Sequence, residues 1–145
     1  MDEKIILIVE DNADDKELIL RAFRKCSIKA KPVVAHDGVE ALDYMHCTGL
    51  FAGKDEYEMP SLIILDLKLP KVDGKEVLTA IRAHPKFKYI PVVILSSSSE
   101  KNDVNECFLL GANSYIKKPI DFRAFMEIVA LLVKYWLDYN ELPRL

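Results

Sequence analysis

Apolar residues gather in five short runs along the chain. Each run is followed by a segment in which apolar positions recur every three or four residues. The runs are KIILIV (4–9), KPVVAH (31–36), LIILD (62–66), IPVVILS (90–96) and NSYIKK (113–118). Their length and their β-branched content predict strands, and the near-continuous apolar stretch Leu62 to Leu65 predicts one sealed on both faces. The intervening segments predict helices. In DKELILRAFRKC (15–26), Leu18 and Ala22, and Ile19 and Phe23, pair at i,i+4. In DGVEALDYMH (37–46), Val39, Leu42 and Met45 share a face. In GKEVLTAIRAH (74–84), Val77, Leu78 and Ile81 turn inward. EKNDVNECFLLGA (100–112) closes on Gly111, and DFRAFMEIVALLVKYWLDY (121–139) is the fifth helix. Residues 47–61, CTGLFAGKDEYEMPS, have no clear period and read as a longer surface loop. Five alternations of strand and helix without a linker or repeat predict one α/β domain, a doubly wound parallel sheet with helices on both faces and right-handed crossovers.

Composition narrows the function classes. A chain of 145 residues fits one domain, and an apolar share of 50% argues against disorder. With 20 basic and 23 acidic residues mixed along the chain, the net charge of −3 gives no electrostatic case for nucleic acid. No apolar run approaches the about 20 residues of a membrane span. The start, MDEKIILIVED, lacks the basic region and cleavage site of a signal peptide, so the expected location is cytoplasmic. Cys26, Cys47 and Cys107 form no C-x-x-C pair and are expected as reduced thiols. His46 beside Cys47 is weak ground for a metal, and His36, His46 and His84 show no arrangement that makes one a donor of a chemical group.

Parallel sheets of this kind build sites at the carboxyl ends of their strands, near the reversal of strand order. Strand one ends at Glu10-Asp11, strand three at Asp66, strand four at Ser96 and strand five at Lys118-Pro119. Three carboxylates, a hydroxyl and an ammonium would then meet at one cleft. Acids that close repel one another unless a cation lies among them. Hard oxygen donors favour Mg²⁺, and a lysine and a serine alongside can hold phosphoryl oxygens. The chemistry implied is phosphoryl transfer to a carboxylate, with Asp66 the best-placed nucleophile. Each residue taken singly has a plainer reading. Glu10-Asp11 can be helix-start charge, Asp66 a turn residue, Ser96 to Ser99 a polar loop and Lys118-Pro119 a strand end. Their common edge favours the joint reading.

The stretches VEDN (9–12), LIILDLKLPKVDG (62–74), PVVILSS (91–97) and YIKKP (115–119) resemble the receiver domain of two-component response regulators over essentially the whole chain, 1–145. The resemblance implies a flavodoxin-like strand order 2-1-3-4-5 with five helices. It implies that Asp66 accepts a phosphoryl group from a sensor histidine kinase. Asp11, Asp66 and the backbone carbonyl of Lys68 would hold Mg²⁺, with Glu10 acting largely through a bound water. Lys118 would pair with Asp66 and then with the phosphoryl group. Ser96 would bind a phosphoryl oxygen, Tyr115 would turn inward behind it as an aromatic switch, and the Lys118–Pro119 bond would be cis. Glu10 stands where aspartate is commoner and Ser96 where threonine often is, and both swaps keep the chemical group. Lys68 is expected to lie over the phosphoryl group and restrict water.

The longer loop and the wording IPVVILSSS resemble stand-alone regulators paired with phytochrome-type kinases. With no DNA-binding or enzymatic domain expected after residue 145, output would pass through protein contact or onward phosphotransfer. Phosphorylation would reshape the face of helix four, strand five and helix five. Such a chain is not an enzyme beyond its own phosphotransfer and dephosphorylation. Helix five is apolar around more than one face, which a helix packed on one side of a sheet does not need, and self-association as a homodimer through helix five and the tail NELPRL is expected. Three rivals remain. A Mg²⁺-dependent aspartyl-phosphate phosphohydrolase usually needs a second aspartate where Lys68 stands. A flavodoxin-like carrier needs a glycine-rich first turn, whereas VEDNADD is acidic. A scaffold receiver that is never phosphorylated would not need every reactive position filled.

Overall fold

The computed structural model describes residues 3–55 and 58–143; positions 56 and 57 of the predicted surface loop and the last two residues of the tail lie outside the described residues. Five strands, β1 (Ile5–Val9), β2 (Lys31–Ala35), β3 (Pro60–Leu65), β4 (Val92–Ser96) and β5 (Ser114–Lys117), alternate with five helices, α1 (Ala13–Lys25), α2 (Gly38–His46), α3 (Gly74–Ala83), α4 (Lys101–Leu109) and α5 (Phe122–Lys134). The strands are all parallel, in the order β2-β1-β3-β4-β5. This is the flavodoxin-like α/β arrangement the sequence predicts, with the order reversing between β1 and β3.

Alternation along the central strands divides the core in two, because successive side chains point to opposite faces. Leu7, Val9, Ile63, Leu65, Val92 and Ile94 pack under α2, α3 and α4 against Tyr44, Leu78 and Cys107. Ile6, Ile8, Leu62, Ile64, Val93 and Leu95 pack under α1 and α5 against Phe23, Phe125 and Val129. Burying one such aliphatic side chain contributes about 1.5–3 kcal/mol, so these two layers dominate the fold's stability.

Capping sets where helices begin. The side chains of Asn12, Asp37, Asp73 and Asp121 accept backbone N–H groups at the starts of α1, α2, α3 and α5. No side chain caps α4, which begins at Lys101 after Glu100 and ends at Leu109, short of the predicted 112. Gly111 follows at φ 103°, a left-handed conformation that glycine adopts without a steric cost. The predicted fifth helix is also divided. Its last residues, Tyr135–Tyr139, form a π-helical turn closed by Asn140 N–H on Tyr135 O at 2.7 Å. Within the loop after α2, Gly49–Phe51 forms one short 3₁₀ turn.

Candidate functional site

Ladder bonds continue past the strand ends and fix the backbone of the residues beyond them. Glu10 N–H donates to Ala35 O at 3.0 Å, Asp66 N–H to Val9 O at 3.0 Å and Lys118 N–H to Ser96 O at 2.7 Å. The backbones of Glu10, Asp66 and Lys118 are therefore placed by the sheet rather than by flexible loops. Gly74, the first residue of α3, lies so close beneath Asp66 that a Cβ there would strike the Asp66 carbonyl oxygen.

The ends of β1, β3 and β5 bring their side chains together. The Lys118 ammonium is almost fully buried and lies 2.8 Å from Glu10 Oε1, 3.0 Å from Asp66 Oδ2 and 2.7 Å from Asp15 Oδ2. Glu10 and Asp66 are buried as well. Carboxylate oxygens of Glu10, Asp11 and Asp66 all lie within 4.8 Å of one another, with Asp11 exposed at the rim. The other Glu10 oxygen accepts Asn12 N–H at 3.2 Å, and Asp66 Oδ1 faces the Lys68 N–H at 3.4 Å.

One lysine does not balance this acidity. Burial, with Asp66 close by, pushes the Glu10 carboxyl up to about 8 despite its bond to Lys118. Burial alone pulls the Lys118 ammonium down, but its bonds to Asp15 and Glu10 and the charge of Asp66 more than offset this, and its pKa ends above the ordinary lysine range. A hard divalent cation would relieve the crowding, and an all-oxygen set open on its Asp11 side fits such an ion.

Ser96 is fully buried at the end of β4, and its Oγ accepts Ser98 N–H at 3.2 Å. Tyr115 on β5 is half-buried and donates its hydroxyl to Ser98 O at 2.8 Å, and burial raises its pKa. Two participants escape a reading of the sequence. Asp15 opens the predicted helix 15–26 with no role for its side chain at the site, yet it makes the shortest contact to Lys118. Ser98 reads as polar loop, yet it lies between Ser96 and Tyr115. Helical geometry carried a clue to Asp15, whose place in the first turn of α1 keeps it at the rim that Glu10 enters.

The Lys118–Pro119 bond is a correction. Among the described residues no peptide bond is cis. Trans is the lower form of an X-Pro bond by about 0.5–1 kcal/mol, and here it already allows both the ladder bond of Lys118 and its ammonium contacts.

The family profile described as the response regulator receiver domain matches residues 6–130. The chain belongs to the response regulator receiver family. This receiver is 38% identical over 142 residues to the probable methanogenesis regulatory protein FilR2 of Methanothrix harundinacea, covering 98% of this chain and 89% of that one. It is 35% identical over 143 residues to response regulator Rcp1 of Synechocystis sp., covering 97% and 93%. Among solved structures, the receiver is similar to the phosphorylated cyanobacterial phytochrome response regulator RcpA, with a TM-score of 0.90, 38% identity and coverage of 99% and 100%. It is also similar to the Mn²⁺-bound form of Rcp1, with a TM-score of 0.87, 33% identity and coverage of 97% and 99%. Among the described residues, no helix of the receiver is long and apolar enough to cross a membrane.

Proposed function

We propose that this receiver takes a phosphoryl group onto Asp66 from the phosphohistidine of a sensor histidine kinase. The observation that carries the reading is the buried Asp66 carboxylate, held 3.0 Å from the Lys118 ammonium within an oxygen cluster shaped for a divalent cation. An Asp66 oxygen attacks phosphorus, the P–N bond breaks, and its electron pair returns to the imidazole. Asp11, Asp66 and the Lys68 carbonyl would hold Mg²⁺, with Glu10 reaching it largely through water. When bound, the ion neutralises the phosphoryl oxygens and so stabilises the charge that develops during transfer.

The chain's own groups do the rest. Lys118 exchanges its bond to Asp66 for one to a phosphoryl oxygen. Ser96 donates its hydroxyl to another. Tyr115 then turns inward behind Ser96, and the surface of α4, β5 and α5 changes shape. The exposed Lys68 side chain shields the acyl phosphate, and Lys68→Ala shortens its lifetime. The protein is a phosphoryl carrier whose only catalysis is its own phosphorylation and dephosphorylation.

Similarity to RcpA and Rcp1 supports a phytochrome-type kinase as the partner. The same reading puts the chain in the cytoplasm, where the unpaired thiols of Cys26, Cys47 and Cys107 stay reduced. Self-association through α5 and the tail is supported by Leu131, Tyr135 and Tyr139, large apolar side chains exposed in a row along α5 and its π-helical turn. Acetyl phosphate with and without Mg²⁺, applied to wild type and Asp66→Asn, tests the reading. Mass addition is expected only for wild type with metal, and equal addition to Asp66→Asn would refute it.

A further inference from the structure

Asp66 and Tyr115 are joined by a path that does not pass through Ser96. It starts under the phosphoacceptor, where Gly74 packs against the Asp66 carbonyl and donates its N–H to Leu67 O at 2.8 Å. The next residue, Lys75, reaches from α3 to α4, with its ammonium 2.8 Å from Asp103 Oδ1 and 2.7 Å from Glu106 Oε2. The other Asp103 oxygen accepts the Ser98 hydroxyl at 2.6 Å. The Ser98 carbonyl in turn accepts the Tyr115 hydroxyl at 2.8 Å.

Ser98 is therefore held by every polar group it has. Its N–H bonds Ser96 Oγ, its carbonyl receives Tyr115, and its hydroxyl bonds Asp103 while accepting Glu100 N–H at 3.3 Å. The last contact also supplies a bond at the start of α4, which lacks a side-chain cap from its own N-cap residue. The Lys75–Asp103 pair is partly exposed, so its direct contribution to stability is small. Its consequence is geometric: it fixes the carboxylate that fixes Ser98.

We propose that Lys75 and Asp103 are positioning residues for the phosphoryl response, holding the Ser98 carbonyl where it receives the inward Tyr115 hydroxyl. This rests on the phosphoacceptor reading of Asp66 and the switch reading of Tyr115. It adds a second connection, in which the start of α3 biases the tyrosine through α4 rather than through the Ser96 hydroxyl. Energetic coupling of this kind needs an element with two arrangements, and Tyr115 supplies it.

The test uses the full chain carrying 3-fluorotyrosine, with Mg²⁺ and beryllofluoride as the phosphoryl analogue; Tyr115→Phe assigns the Tyr115 resonance. At saturating beryllofluoride, Asp103→Ala and Lys75→Gln lower the inward Tyr115 population and weaken analogue binding by about threefold to tenfold, the scale of single side chains between coupled sites. The double variant is no weaker than the weaker single, because both act through Ser98. Glu106→Gln, which touches Lys75 but not Ser98, has less effect than either. Asp103→Asn serves as a second, isosteric variant, with thermal melts confirming folding. An unmoved Tyr115 resonance and unchanged affinity in both single variants, while acetyl phosphate still adds to Asp66, would overturn this proposal alone. No addition to wild type would overturn the phosphoacceptor reading and the proposal with it.

Discussion

Lys118 lies closer to Asp15 than to Asp66, at 2.7 Å against 3.0 Å. Asp15 is outside the oxygen cluster of Glu10, Asp11 and Asp66 that suits a cation. Under the proposed phosphoacceptor reading, Asp15 is the carboxylate outside that cluster which stays to anchor the ammonium. The same contact ties the start of α1 to the end of β5 across the sheet edge.

Removing the ammonium leaves buried Asp66 without its cation, beside the Glu10 carboxyl. Lys118→Met is expected to lose about 3 kcal/mol of stability without metal at pH 8, since an uncompensated buried charge is costly. Millimolar Mg²⁺ recovers part of this by binding the folded state. Asp15→Asn, at the more exposed margin, costs about 1 kcal/mol or less. Urea unfolding of the three proteins, with and without Mg²⁺, makes the comparison.

The raised pKa of Glu10, about 8 against an ordinary 4.5, links the metal to protons. Without metal, the folded state holds the Glu10 proton that the unfolded state releases. Its contribution to stability is full below about pH 4.5 and is lost as pH rises through about 8. A divalent cation at this cluster would compete with that proton, so Mg²⁺ affinity is expected to rise from pH 6 to pH 8 with release of protons. Calorimetry in buffers of different ionisation enthalpy detects the release, and Glu10→Gln flattens the pH dependence.

A second pH effect lies at the opposite end of the sheet. His84 Nδ1 accepts the N–H groups of Lys86 and Phe87, each at 3.1 Å, so a proton on that nitrogen would face two donors. Burial, then the neighbouring His46 and Lys86, hold its pKa below the ordinary histidine value. The unfolded state therefore takes up this proton first. The contribution is present at neutral pH and is lost on acidification below about 6.5. Melts between pH 7 and pH 5 should fall less steeply for His84→Asn than for wild type.

The central strands and most of α1, α2 and α3 were legible from their apolar period; the caps Asn12, Asp37 and Asp73, which that period does not single out, begin the same helices. The strand-end residues Glu10, Asp66, Ser96 and Lys118 were legible because a parallel alternation leaves one edge for them. Asp15 and Ser98 were not, because their roles depend on how helices α1 and α4 rotate against the sheet, which the pattern of apolar positions does not encode. The π-helical turn at Tyr135–Tyr139 escaped for a related reason. Its apolar spacing continues that of α5, and only the bond from Asn140 to Tyr135 reveals the wider turn.

That turn bears on assembly. Phe125, Val129, Leu132 and Leu137 face the sheet, whereas Leu131, 63% exposed, points outward with Tyr135 and Tyr139. Sedimentation over a range of concentrations should show a reversible dimer, and Leu131→Asp should weaken it by about tenfold or more, the scale of losing one well-buried interface side chain. A strict monomer at every concentration, phosphorylated or not, contradicts self-association through α5.

The most direct measurement is where the phosphoryl group goes. After incubation with acetyl phosphate and Mg²⁺, borohydride reduction converts an acyl phosphate into a stable alcohol that peptide mass spectrometry can place. Modification at a single residue, Asp66, is expected, and none when Mg²⁺ is chelated. Modification at Asp11, Asp15 or Glu10 with Asp66 untouched would contradict the phosphoacceptor reading.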